Sequence, residues 1–188
     1  MNGAACEAYM FNASSIDVIT GTLDAGNLAS TYTLDGDWYN VSEINEMPGL
    51  DIRVNFTGIC EDMVCGCLDV YHKYVGHSQH EVLIQFYNFT TDTWITNGAF
   101  IYNETAGLVC IGIGHSADHL VNNGTLWARF YHESQGHIKH ELHVDEIELS
   151  VACGEECPII TVPSLFPGLA IGISLFIIAA AYYYYQRR

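Results

Sequence analysis

The chain has 188 residues, enough for one domain with its own hydrophobic core. Against 22 Asp and Glu it carries only 6 Lys and Arg, a formal charge of −16. That balance excludes nucleic acid and anionic lipid headgroups as partners, since both would repel it.

In chain order, the opening "MNGAACEAYMFNASS" has neither the basic start nor the apolar core of a secretory leader. Two routes to the outside are then expected: a leader removed ahead of this numbering, or insertion directed by an apolar segment near the C-terminus. Strands are predicted around Ile16–Thr22 and Trp38–Ile44. "LDIRVNFT" (50–57) follows with clean alternation, Leu50, Ile52, Val54 and Phe56 on one face. Further strands are predicted at Cys67–His72, at "EVLIQFYN" (81–88), around Trp94–Ile95, at Leu108–Ile113 and at "LWARFYH" (126–132). The last, "ELHVDEIELSV" (141–151), changes phase between Val144 and Ile147, and a β-bulge near Asp145–Glu146 would repair it. No sustained helical periodicity interrupts this series. The fold class expected is all-β: residues 1–152 as a two-sheet antiparallel jelly-roll sandwich.

Residues 153–164 read as a Cys- and Pro-containing stalk, and 165–186 as one transmembrane α-helix. Leu165 to Tyr185 lack any charge and match the ~20 apolar residues a spanning helix needs. Tyr182–Tyr185 suit the interfacial belt, and the basic tail 187–188 favours a cytoplasmic C-terminus. Gly168 and Gly172 are spaced to bring two such helices together, which would make a homo-oligomer.

This orientation puts the N-terminal domain outside a cell or virion membrane. Six Asn-X-Ser/Thr sequons agree with it, at Asn12, Asn40, Asn55, Asn88, Asn103 and Asn123. So do seven cysteines: Cys6, Cys60, Cys65, Cys67, Cys110, Cys153 and Cys157. In an oxidising compartment they read as disulfides, with pairing open and one thiol left over.

"YHKYVGHSQHEVLI" (71–84) is nearly repeated as "YHESQGHIKHELHV" (131–144), so six of nine histidines fall in two copies of one pattern. Each copy reads as a strand, a turn containing Gly and His, and a second strand, that is, a β-hairpin. His80 and His140 then begin inner strands, with Gly76 and Gly136 supplying positive φ. His77, His137, His115 and His119 are the candidate zinc ligands if the loops converge at one end of the sandwich. Asp35 and Asp37 in "LDGDW" are a candidate Ca2+ turn. Trp38, Tyr39, Trp94 and Trp127 read first as sandwich core, with a sugar-stacking platform as the alternative that makes Trp38, Trp94 and Trp127 candidate carbohydrate-binding residues. No Ser-His-Asp or paired-carboxylate arrangement emerges, and no enzymatic activity is expected.

"GLDIRVNFTG" (49–58), "HEVLIQFYNFTTDTW" (80–94) and "ARFYHESQGHIKHELHVDEIELS" (128–150) resemble jelly-roll surface modules of phage and archaeal-virus structural proteins. In outline these are similar to carbohydrate-binding modules. The resemblance implies a β-sandwich for surface attachment and brings no catalytic residue. The resulting expectation is a glycosylated, membrane-anchored structural or attachment subunit of a surface assembly or virion envelope, partnered by other subunits. The alternatives are a lectin-like module that binds glycans and a His-based metal-binding surface protein.

Overall fold

The computed structural model describes residues 7–77, 80–101, 103–114 and 117–154. Twelve strands are present among them. They are β1 (Glu7–Asn12), β2 (Ser15–Thr20), β3 (Thr22–Ala25), β4 (Tyr39–Ser42), β5 (Leu50–Thr57), β6 (Met63–Val75), β7 (Glu81–Asn88), β8 (Thr93–Ile101), β9 (Asn103–Ile113), β10 (Val121–Asn122), β11 (Thr125–His132) and β12 (Glu141–Cys153). One sheet runs β3-β4-β12-β6-β9, with β1 beside the later half of β12. The other runs β2-β5-β11-β7-β8, with β10 beside the start of β11. Every pairing is antiparallel. From β4 to β7 and from β8 to β12 the major strands alternate between the sheets, as in a jelly roll.

Side-chain alternation builds the core. On β5 Leu50, Ile52, Val54 and Phe56 point inward, and on β11 Leu126, Ala128 and Phe130 do the same. Val82, Ile84 and Phe86 of β7 meet them, and across the sandwich lie Leu68, Val70 and Tyr74 of β6. On β12 the phase change falls where expected: the pairing with β6 slips between Val144 and Glu146, so Leu142, Val144, Ile147, Leu149 and Val151 are all buried. β1, pairing Glu7–Asn12 with Glu148–Cys153, has no counterpart among the predicted strands.

Disulfides join Cys60 to Cys153 and Cys67 to Cys110, while the half-buried Cys65 belongs to neither. Cys6 and Cys157 lie outside the described residues, as does the segment 165–186. No helix among the described residues is long and apolar enough to cross a membrane.

The hairpin reading of the histidine repeat is wrong. β6 and β7 belong to different sheets, and so do β11 and β12. Each copy is therefore an arch between sheets, and the two arches cross in opposite senses. β6 pairs with β12 and β7 pairs with β11, which sets the arches side by side at one end of the sandwich. Both use the same turn: His80 N–H donates to the His77 carbonyl at 2.9 Å, and His140 N–H to the His137 carbonyl at 2.7 Å.

Gly76 and Gly136 do not adopt positive φ. What Gly136 supplies is room. A Cβ there would lie 2.5 Å from the Ile44 carbonyl oxygen and 2.7 Å from Gly49 Cα. That contact lets the second arch fold down against the segment that follows β4.

Asp69, on the outer face of β6, gives a pH prediction. Burial, and then the charge of Glu146, push its carboxyl up to about 6 from 3.8. The folded value lies above the unfolded one, so the native state holds the extra proton between these values and loses stability as pH rises through about 6. Asp69→Asn is expected to stabilise the protein at pH 7 by up to about 3 kcal/mol and to be neutral at pH 3.5. Paired urea titrations at the two pH values read the difference, and equal effects at both would contradict this assignment.

Candidate functional site

The outer face of the second sheet carries an aromatic cluster. Alternation along β11 that buries Leu126, Ala128 and Phe130 sends Trp127, Arg129 and Tyr131 outward. Tyr87 on β7 sits opposite Trp94 of β8, and its ring centre is 5.1 Å from those of Trp94, Trp127 and Phe89. Phe89 and Trp127 close the group at 5.2 Å. Trp127 is 36% exposed, and Trp94 is half-buried.

Two of the chain's six Lys and Arg serve this face. The Arg129 guanidinium lies 4.5 Å from the Trp94 ring centre and 4.0 Å from that of Tyr131, within cation–π range. Its Nε donates to Gln85 Oε1 at 2.6 Å, and Gln85 Nε2 donates to Thr96 at 2.8 Å. The buried Asp51 accepts from Arg53 at 3.2 Å and neutralises part of the local positive charge. The side chains are thus braced before any ligand arrives: flat aromatic rings edged by guanidinium and amide hydrogen-bonding groups.

Trp94 and Trp127 therefore meet through Tyr87, which was not among the candidate residues. Trp38 does not join them. It lies by Tyr71, His143 and Lys73, which belong to the other sheet, with the Lys73 ammonium 5.3 Å from its ring centre. The core-packing reading fails for all three tryptophans, none of which is buried, and holds for Tyr39, which is 3% exposed.

The second concentration of chemistry lies where the two arches meet. Glu43, one residue past β4, continues the inward parity of Tyr39 and Val41 and is 1% exposed. Its Oε1 accepts from Tyr74 Oη at 2.5 Å, and its Oε2 accepts from the His137 N–H at 2.9 Å. His132 Nδ1 lies 2.8 Å from Oε1, and His140 Nδ1 lies 3.1 Å from Oε2. Burial pushes this carboxyl upward, but the His132 imidazole, the Tyr74 hydroxyl and the His137 N–H outweigh it and hold the pKa at about 2.

His80 completes the group. Its ring centre is 4.7 Å from that of His140 and 4.9 Å from that of His132. Burial, then the neighbouring His132 and His140, lower its pKa from the usual imidazole value, so it carries a lone pair at neutral pH. His77 and His137 line the open groove above, with Asn45 and Gln135.

The convergence expected of the loop histidines is thus half realised. His77 and His137 approach the cluster, whereas His119 lies at the opposite end of β7, its carbonyl accepting from the Phe89 N–H. His115 lies outside the described residues. Glu43, His80, His132 and His140 were missed as a group, although parity places Glu43 and His132 on buried faces where such residues call for partners. Asp35 and Asp37 are spent within their own turn: Asp35 accepts from Thr33 and from the Asp37 N–H, and Asp37 from Ser30. They join no metal-binding group among the described residues.

Of the sequons, Asn12 and Asn123 are exposed, and Asn40 and Asn55 are half-buried. Asn88 is 8% exposed, with its Oδ1 accepting from Thr90 and Thr91 N–H groups. The side chain of Asn103 lies outside the described residues.

The architecture is that of an antiparallel two-sheet β-sandwich with an aromatic outer face. Solved structures of the same fold class are carbohydrate-binding modules of family 29. One matches with a TM-score of 0.50 at 9% identity, over 77% of this chain and 89% of that one. Another, from Piromyces equi, gives 0.47 at 9% identity over 77% and 91%. At such identities the likeness shows the fold alone, and it does not show the expected resemblance to phage and archaeal-virus modules. No protein-family model and no curated protein sequence matches the chain.

Proposed function

We propose that the protein is a lectin-like module that binds carbohydrate on the outer face of its second sheet. The observation that carries this reading is the braced group of Tyr87, Trp94, Trp127 and Arg129. Apolar faces of pyranose rings stack on exposed aromatic rings, while guanidinium and amide groups at the edge bond the ring hydroxyls. The fold it shares with family 29 carbohydrate-binding modules is consistent with that use. This reading takes precedence over the structural-subunit expectation because it rests on the braced aromatic group of the outer face. If 165–186 spans a membrane, the module faces outward from a cell or virion surface.

The test is a glycan array followed by calorimetry on the best ligand. Trp94→Ala and Trp127→Ala are each expected to weaken binding by about 1–3 kcal/mol, or roughly five- to hundredfold. Both side chains point away from the core, so the unfolding midpoint should change little. Trp38→Ala, on the other sheet, should bind as the unaltered chain does. An array blank across neutral and acidic sugars would sink the proposal, as would a ligand indifferent to both tryptophans.

A further inference from the structure

We infer that Glu43, His80 and His132 form a binding site for a divalent transition-metal ion of the zinc class, set between the two histidine arches. One ligand atom from each of the three lies within 4.8 Å of the others. One carboxylate with two imidazoles is a donor set that suits zinc and its neighbours rather than calcium or magnesium, which take oxygen.

The stronger argument is His132. It is 3% exposed, and its Nδ1 has no aligned hydrogen-bond partner although Glu43 Oε1 is only 2.8 Å away. The ring is turned so that a proton on Nδ1 would not point at the oxygen. Its other nitrogen, Nε2, is engaged by Ser134 Oγ at 2.9 Å. Nδ1 is thus a buried polar atom without an aligned hydrogen bond, set directly against a carboxylate oxygen. A buried polar atom left without a hydrogen bond is costly, and a cation held by both Nδ1 and the carboxylate would satisfy it. A tetrahedral ion ~2.0–2.1 Å from each donor sets the two about 3.3–3.4 Å apart, so the pair, 2.8 Å apart here, would open by about half an ångström on binding.

The surroundings are those of a supported site. Ligating carboxylates are themselves held by hydrogen bonds, and here Tyr74 Oη, the His137 N–H and His140 Nδ1 hold Glu43. Two ligands are buried. The third, His80, is half-buried at the turn of its arch. The fourth position opens to the groove lined by His77, His137, Asn45 and Gln135. Glu43 follows a strand of one sheet, whereas His132 ends a strand of the other and His80 precedes its neighbour. An ion there ties the two sheets together at this end, independently of the aromatic face.

The experiment uses the full chain without a histidine tag, stripped with EDTA and titrated with Zn2+ against a chromophoric chelator, with Co2+ as a spectroscopic probe. One ion per chain is expected, with a Co2+ visible band of a four- or five-coordinate site and a rise in Tm on adding Zn2+. His80→Ala keeps the buried pair and the backbone bond of the turn, so it should fold as before while losing at least about ten- to a hundredfold in Zn2+ affinity. His119→Ala, at the far end of β7, should bind as the unaltered chain does. Absence of saturable Zn2+ or Co2+ uptake would overturn the site. So would uptake that His80→Ala leaves unchanged.

Discussion

Glu43→Gln is expected to destabilise the metal-free fold by about 3–5 kcal/mol, the cost of removing one member of a buried, hydrogen-bonded charge group. The reason is a mismatch of donors. Glu43 stands on the inner face with its side chain fully buried and is hydrogen-bonded by the Tyr74 hydroxyl, the His137 N–H and His140 Nδ1. A carboxylate offers about four lone-pair sites and matches that demand. Glutamine keeps the shape but offers one acceptor oxygen and turns an NH2 toward groups that also donate. At least one donor is then buried unsatisfied. Denaturant titration in EDTA measures the effect without any contribution from bound metal. A loss below about 1 kcal/mol would mean that the donors find other partners or that the pocket admits water. Tyr74→Phe removes a single donor and leaves the carboxylate otherwise satisfied, so its cost should be about 1–2 kcal/mol.

The second large effect concerns the Cys60–Cys153 disulfide, whose cysteines are 93 residues apart. It joins the segment before β6 to the end of β12, closing a loop that contains every strand from β6 to β12. In the chain-entropy account, releasing so long a loop costs about 4–5 kcal/mol, because the unfolded chain recovers the freedom that the crosslink removed. The Cys60→Ala/Cys153→Ala double variant should show that loss in its unfolding free energy. The Cys67–Cys110 pair spans 43 residues. Its removal should cost slightly less, about 4 kcal/mol. Urea midpoints of both double variants provide the comparison. An unchanged midpoint for the 60/153 variant would mean that the chain does not fold with that crosslink.

Local alternation carried much of the fold. The strand "LDIRVNFT" was legible because its period-2 pattern reflects burial on one side only, and the bulge at Asp145–Glu146 because an extra residue leaves a phase slip that pattern alone exposes. β1 escaped notice because "EAYMFN" does not alternate clearly. Its place is decided by the open edge of β12, sixscore residues and more away in the chain.

The histidine repeat shows the same limit at the site. Spacing alone describes a hairpin and a sheet-crossing arch equally well, since both are strand, turn, strand. What separates them is which strand lies alongside, and that is a pairing of β6 with β12 and of β7 with β11. Similarly, Tyr87, Trp94 and Trp127 sit on three strands, and no pattern within one strand reports that their outward positions coincide.

By itself, the sequence determined the class of fold, the faces of the longer strands, the acidic surface and the residue types available for chemistry, because these follow from composition and short-range periodicity. Only the tertiary structure decided which cysteines pair, that Trp94 and Trp127 share a face while Trp38 does not, and that His80 and His132 meet at Glu43. Those outcomes depend on contacts between segments distant in the chain, where the free energy of packing two sheets selects one register among many that local preference allows equally.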